Sequence, residues 1–225
     1  MLKNARKQKI LDLVDRTGYV TLEMLSQVLV TSESTIRRDL TELDQSQKLR
    51  RLHGGAESLS HLRYEEDVAE KSVKNVQHKL RIAQKAVSKL KHDDVIFMDA
   101  GTTVAMMTEF LIDFDNLTVV TNSVHTASAL MDKKIKTIII GGAVKPTTDA
   151  VTGNFAVQQL MSFNFSKAFI GANGISRDGG ITTPDEEEAT VKRVVLGQSK
   201  EKFILADSSK LGKIYFAKFA EFDKR

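Results

Sequence analysis

Apolar positions in the first 45 residues fall into three short groups at helical spacing. Ile10, Leu11 and Val14 mark one face and Gly18 stops the run, which predicts a first helix over about Asn4 to Arg16. Thr21 is a capping residue ahead of LEMLSQVL, whose Leu22, Leu25, Val28 and Leu29 form the stripe of a second helix. Val30 and Thr31 make a turn, and Ser32 caps a third helix running to about Asp44. There Ile36, Leu40 and Leu43 share one face, with Ser34, Arg38, Thr41 and Gln45 opposite and Arg37 on the flank. Leu49 and Leu52 then bracket Arg50 and Arg51, and Gly54-Gly55 supply a hairpin turn, so a basic β-wing follows the third helix.

The pattern changes twice more. Residues 58–75 are polar and charge-rich without strand signal and read as a linker between a domain at 1–57 and another at 76–225. Leu80, Ile82, Ala83, Ala86, Val87 and Leu90 predict a long amphipathic helix from about Val76 to Lys91. Beyond Asp94, apolar strands in VIFMDAGTT, LTVVTNS, KTIIIGGAV, KAFIGANGI and KFILADSSK alternate with helices in VAMMTEFLID, HTASALMD and EEEATVKRVVLG. Continuous apolar strands alternating with helices predict an α/β domain whose parallel sheet is covered on both faces. Met98, Met106, Met107 and Met131 are expected to fill its core.

Composition narrows the chemistry. Among 225 residues there is no cysteine, which excludes disulfides, thiolate zinc sites and a thiol nucleophile. The histidines at 53, 61, 78, 92 and 125 show no metal-ligand spacing, so neither a metal nor a cofactor is expected. The N-terminus lacks the apolar core of a signal peptide, and no apolar run approaches the roughly 20 residues of a membrane span, so a cytoplasmic protein with no membrane partner is expected. The net charge is +4. Residues 1–57 carry ten Lys or Arg against eight acids and residues 58–94 eight against six, whereas residues 95–225 are balanced. The excess lies where an anionic partner would bind.

Three short helices with a turn before the third, followed by a glycine-turned basic hairpin, are the parts of a winged helix-turn-helix. Its third helix would enter the major groove of double-stranded operator DNA. Arg37 and Arg38 would reach phosphates or guanine, Ser32, Ser34, Thr35 and Thr41 would supply short hydrogen bonds, and Arg50, Arg51 and His53 would straddle the adjacent minor groove. In the second domain, Asp99-Ala100-Gly101-Thr102-Thr103 follows a strand and opens a helix, a setting in which backbone N–H groups and threonine hydroxyls suit a phosphate. Thr121-Asn122-Ser123 and Gly141-Gly142 end the next two strands, and the three termini are expected to converge on one crevice.

The stretch RKQKILDLVDRTGYVTLEMLSQVLVTSESTIRRDLTELDQSQKLRRLHGGA resembles the DNA-binding signature of the DeoR family of bacterial transcriptional repressors, and the resemblance runs through the second domain. It implies a sensor domain with the fold of sugar-phosphate isomerases (ribose-5-phosphate isomerase or glucosamine-6-phosphate deaminase-like), a phosphorylated sugar as effector, and a homo-oligomer, dimer or tetramer. GANGI with GGITTPD resembles the second glycine-rich loop of that fold, placing Gly171 and Asn173 at the ligand, and Lys210 resembles a basic residue near the phosphate. Glu188 and Lys192, at i, i+4, are either a surface ion pair or ligand contacts. Within the family, KLRRLHGGAE is most like repressors of fructose operons, which implies fructose 1-phosphate, with tagatose 6-phosphate next.

The rival reading is an isomerase- or deaminase-type enzyme tethered to DNA, with Asp99, Asp185 or Glu188 as its base. Against it, Asn173 stands where that loop would carry a carboxylate, so binding without turnover is expected. A nucleic-acid module without a ligand would leave the polar strand ends unexplained. Family members continue past KFAEFD into a final strand, whereas this chain ends at Arg225, which is expected to leave a sheet edge open.

Overall fold

The three N-terminal stripes form α1 (Lys3–Thr17), α2 (Leu22–Leu29) and α3 (Glu33–Gln45). The structure is a computed structural model that describes residues 2–58, 62–112 and 114–221, the side chain of Arg16 apart. Ile10, Val14, Leu25, Ile36 and Leu40 are fully buried. Thr21 caps α2, its hydroxyl accepting from Met24 N at 3.0 Å. Ser32 occupies the cap position of α3 without a side-chain cap bond, because its hydroxyl lies instead against those of Ser34 and Thr35 at 3.1 and 3.0 Å. Val28, counted in the α2 stripe, is 57% exposed: Leu22, Leu25 and Leu29 already complete the buried face.

The wing holds one strand more than its sequence announces. β1 (Tyr19–Thr21), β2 (Arg50–Leu52) and β3 (Gly55–Glu57) form an antiparallel sheet in the order β1-β3-β2. The turn lies at His53–Gly54, and Gly55 belongs to β3, opposite Thr21. A side chain at 55 would run into the Val20 carbonyl, so this glycine serves the close approach of β1 and β3 rather than the turn. Two ion-pair groups fasten α1 to α3. Arg6 forks onto the buried Asp39 at 2.5 and 3.2 Å, and Lys3 and Lys7 meet Glu42 at 2.7 and 2.5 Å. Hydrogen bonds from Lys3 and then Lys7 hold the Glu42 carboxyl down at about 2, so these bridges persist in acid until the pH falls through that value.

The chain divides into two compact units meeting at Tyr64 and Glu65. Residues 65–75, expected as linker, therefore belong to the second unit and include a short helix, α4 (Val68–Val73). Residues 59–61 of that expected linker, with His61, lie outside the described residues, as do 222–225 and with them the expectation about the chain's end.

The second unit continues with α5 (Val76–Val87), β4 (Val95–Met98), α6 (Thr102–Ala105), β5 (Thr118–Thr121), α7 (Val124–Asp132), β6 (Lys136–Ile139), β7 (Ala143–Lys145), β8 (Ala150–Thr152) and α8 (Asn154–Met161). There follow β9 (Phe165–Gly171), β10 (Gly174–Ser176), β11 (Gly180–Thr183), α9 (Glu186–Gly197), β12 (Ser199–Leu205) and β13 (Ala217–Ala220). Five strands form the expected parallel sheet, in the order β12-β9-β4-β5-β6. Side chains alternate across it. Phe97, Ala168 and Ile170 join α8 and α9 on one face, whereas Ile96, Met98, Val119 and Phe169 pack under α5 and the α6 region on the other. β7–β8 is a hairpin and β10-β11-β13 a separate antiparallel sheet. The helix expected in VAMMTEFLID is split into α6 and a 3₁₀ turn over Met106–Phe110. Met98 and Met107 are core residues and Met106 is half-buried, but Met131 is 68% exposed on α7.

Candidate functional site

The chain leaves β4 toward β5 on one side, while β9 lies on the other, so the order of the sheet reverses between β4 and β9. The connections after two such strands turn in opposite directions and leave a crevice at their carboxyl ends. A cavity of about 270 Å³ lies there, near the lower end of the roughly 300–1,000 Å³ usual for small-ligand sites. Of the expected ligand residues, Asp99, Gly101, Thr102, Thr103, Gly171, Asn173, Glu188, Lys192 and Lys210 line it.

The other five do not. The Thr121 hydroxyl donates to Met98 O at 2.6 Å and the Ser123 hydroxyl caps α7. Asn122 accepts from Ala100 N at 3.0 Å, bracing the Asp99–Gly101 turn from behind. Gly141 N donates to Gln159 at 3.2 Å, and at Gly142, with φ +156°, a Cβ would stand 2.5 Å from the Thr152 carbonyl. The expectation of three converging strand ends is corrected accordingly: β5 and β6 lie beyond the switch point, and their ends are built for structure.

The crevice floor is a buried charge cluster. Asp99, 1% exposed, pairs with Lys192 and accepts from Gly171 N at 2.9 Å. α9 starts beneath it because Asp185 caps the helix, accepting from Glu187 and Glu188 N at 2.9 Å each, and three acidic residues suit its first turn. Glu188 and Lys192 are thus both buried, which rules out a surface ion pair; Glu188 is held by Lys145 at 3.1 Å and Thr148 at 2.8 Å. Burial pushes the Glu188 carboxyl up, against the pull of Lys192 and Lys145, with Glu65 adding to the rise. Burial also opposes the charge on Lys192, but Asp99, Glu188 and Glu65 outweigh it and hold the ammonium above its usual range.

The rest of the lining is a mixed-charge wall: Lys71, Lys74, Lys79, Lys210 and Lys213 stand with Glu65, Glu66 and Asp207, Lys71 paired with Glu65 and Lys74 with Glu66 at 3.1 Å. Burial, then the neighbouring ammoniums of Lys213 and Lys71, hold Lys210 below the usual lysine range. Burial likewise pushes Lys79 down. Asp207 stiffens this wall, accepting from Ser209 N at 2.8 Å and Asn75 at 3.3 Å. The sequence reading missed Glu65, Lys71, Lys74, Lys79 and Thr148. For Glu65, Lys71 and Lys74 the available signal is the charge-rich run itself, which reads as a linker; Lys79, on the predicted helix, and Thr148 carry no local signal. Among the described residues no cluster of His, Cys, Asp or Glu is placed to hold a metal, and no helix is long and apolar enough to cross a membrane.

On the first unit, the residues singled out on α3 and the wing divide into two sets. Thr41 and Arg51 are committed to each other at 2.5 Å, and Arg51 N donates to Asp44 at 2.9 Å, so the wing is hydrogen-bonded to α3. Arg37 meets Glu33 at 3.1 Å and Arg50 meets Glu57 at 3.4 Å. Ser32 and Ser34 are exposed and Thr35 half-buried; Arg38 and His53 are exposed with no side-chain partner among the described residues.

A winged helix-turn-helix and an α/β unit with a charged crevice at its switch point, carried on one chain, define a ligand-responsive transcriptional regulator. Residues 6–61 match the DeoR-like helix-turn-helix domain and residues 74–225 the DeoR C-terminal sensor domain. The chain is 42% identical to the uncharacterized HTH-type transcriptional regulator FruR of Bacillus subtilis, over 98% of this chain and 88% of that one. It is 34% identical to the HTH-type transcriptional regulator GlpR of Haloferax volcanii, covering 100% of this chain and 88% of the relative. With the lactose phosphotransferase system repressor of Staphylococcus epidermidis it shares 36% identity, covering 98% and 89%. Among solved structures, ribose 5-phosphate isomerase A of Methanocaldococcus jannaschii aligns over 61% of this chain and 55% of that one, with 20% identity and a TM-score of 0.46, a distant likeness only. The chain belongs to the DeoR family; it is a helix-turn-helix transcriptional repressor and not an enzyme.

Proposed function

We propose that this repressor controls a sugar-utilisation operon in the cytoplasm, that it acts as a homo-oligomer, and that a phosphorylated sugar in the β4–β9 crevice changes its affinity for operator DNA. The observation carrying this reading is the crevice's lining, in which five lysines stand with the buried carboxylates of Asp99 and Glu188. Ammonium groups suit a phosphate and carboxylates suit hydroxyls. The resemblance of KLRRLHGGAE to repressors of fructose operons favours fructose 1-phosphate, with tagatose 6-phosphate next. Ligand must bind the DNA-competent and DNA-incompetent arrangements differently, and a tenfold change in operator affinity requires about 1.4 kcal/mol of such coupling.

Thermal-shift measurements on the full chain with fructose 1-phosphate, fructose 6-phosphate, tagatose 6-phosphate, glucosamine 6-phosphate and unphosphorylated sugars test this. A phosphorylated sugar should raise the melting temperature and be recovered unconverted; a shift with unphosphorylated sugars alone would overturn it. Affinity should also fall as pH rises through the depressed pKa of Lys210, since a phosphate needs that ammonium. The sign for stability is opposite. Across the window from that depressed value up to the ordinary lysine pKa the unfolded chain binds more protons, so the ligand-free protein gains stability as pH rises.

DNA contact on this reading falls to the outer face of α3 and the wing, with Arg38 the freest cation there. Arg38→Ala should cost about 1–3 kcal/mol in operator binding, roughly 5- to 150-fold, while leaving the melting temperature unchanged. Fluorescence anisotropy with DNA from upstream of the operon reads the first quantity. An unaltered affinity would remove Arg38 from the DNA-reading face.

A further inference from the structure

Glu65 is the first residue of the second unit, and its side chain is 8% exposed. One carboxylate oxygen, Oε1, is fully used: it pairs with the Lys71 ammonium and accepts from Asn173 Nδ2 at 3.0 Å. The other, Oε2, is buried and has no hydrogen-bond partner among the described residues, a condition shared there only by the Thr126 hydroxyl within α7. A buried charged acceptor left unpaired is costly, and in a binding site its natural complement is a donor brought by the ligand. Glu65 lines the crevice together with Asn173, Glu188, Lys192 and the five lysines.

We infer that Glu65 is a specificity-determining residue of the crevice, its Oε2 accepting a hydrogen bond from a hydroxyl of the sugar while Lys210 and Lys213 take the phosphate. This rests on the sugar-phosphate reading above and deepens it. Lys71 and Asn173 clamp Oε1, so the carboxylate is held in one orientation, and a sugar whose hydroxyl points elsewhere leaves Oε2 unpaired. The discrimination is therefore between hydroxyl arrangements, which a cluster of lysines cannot supply. Lys71 belongs to α4, so a bound sugar would also tie the segment directly following Tyr64 to the end of β9.

Glu65→Gln tests it. Glutamine keeps the length and can keep the oxygen that Asn173 and Lys71 hold, but presents an amide donor in place of the free acceptor. Affinities of the full-length wild type and variant are measured by calorimetry for inorganic phosphate and for the four hexose phosphates named above. The expected result is a loss of about 10- to 100-fold for the hexose phosphate that the wild type binds, with phosphate affinity and melting temperature unchanged. Equal affinity of the two proteins for that hexose phosphate would overturn the role of Glu65 and leave the sensor reading standing. Failure of the wild type to bind any of the four would overturn both. Should the variant melt early or lose phosphate as well, Glu65→Asp, which keeps the charge and withdraws the acceptor, decides: hexose-phosphate affinity equal to that of the wild type would overturn the assignment, whereas its loss with phosphate affinity kept supports it.

Discussion

Lys192→Met is expected to lower the stability of the sensor unit by about 3–5 kcal/mol, the cost of leaving a buried charge without its partner. Lys192 is the cation on which the crevice floor converges: it pairs with Asp99, and Asp99, Glu188 and Glu65 together hold its charge against burial. Without it three carboxylates face one another, and the Asp99 oxygen keeps only the Gly171 N–H. The deficit should narrow in acid. Burial already raises the Glu188 carboxyl, and loss of Lys192 raises it further, so the folded variant binds a proton that the unfolded chain does not, and stability returns as pH falls through that raised value. Urea unfolding at pH 5 and pH 8 measures both effects. The double variant Asp99→Asn, Lys192→Met should recover much of the loss; a single variant within 1 kcal/mol of wild type would mean the floor does not depend on this pair.

Arg6→Met should do comparable damage to the first unit, again about 3–5 kcal/mol, by stranding Asp39 at 1% exposure. The consequence is separable. Operator binding should collapse and proteolysis should cut within the first 64 residues, while sugar-phosphate affinity stays at the wild-type level. Arg6→Met with Asp39→Leu, which removes both charges, should restore folding of the unit. Loss of ligand binding in the single variant would show that the damage is not confined there.

These two pairs also show what the sequence could and could not disclose. The seam Ile36, Leu40, Leu43 was legible because a helix packed on one side repeats its apolar residues locally, and the parallel sheet was legible because both of its faces are covered. β1 was not, since three residues carry no period. Asp99 and Gly101 could be read as ligand residues from their place at a strand end, and Gly171 from the family resemblance, but the order in which parallel strands lie side by side has no local signature, so Thr121–Ser123 and Gly141–Gly142 looked equivalent to Asp99–Thr103. The largest omission, residues 65–75, came from charges whose partners are remote. Glu65 meets Asn173 across 108 residues and Asn75 meets Asp207 across 132. A polar run is solvated by default in a linear reading, and only the folded chain shows it lining a crevice.

That remoteness has a consequence for synthesis. The first unit, with its own core, is complete once Tyr64 has emerged from the ribosome. The crevice borrows its walls from residue 65 at one extreme and from residue 213 at the other, and it cannot close until β12 has paired with β9. On the reading proposed above, the nascent chain therefore carries its DNA-binding unit before the crevice that would answer a ligand has formed.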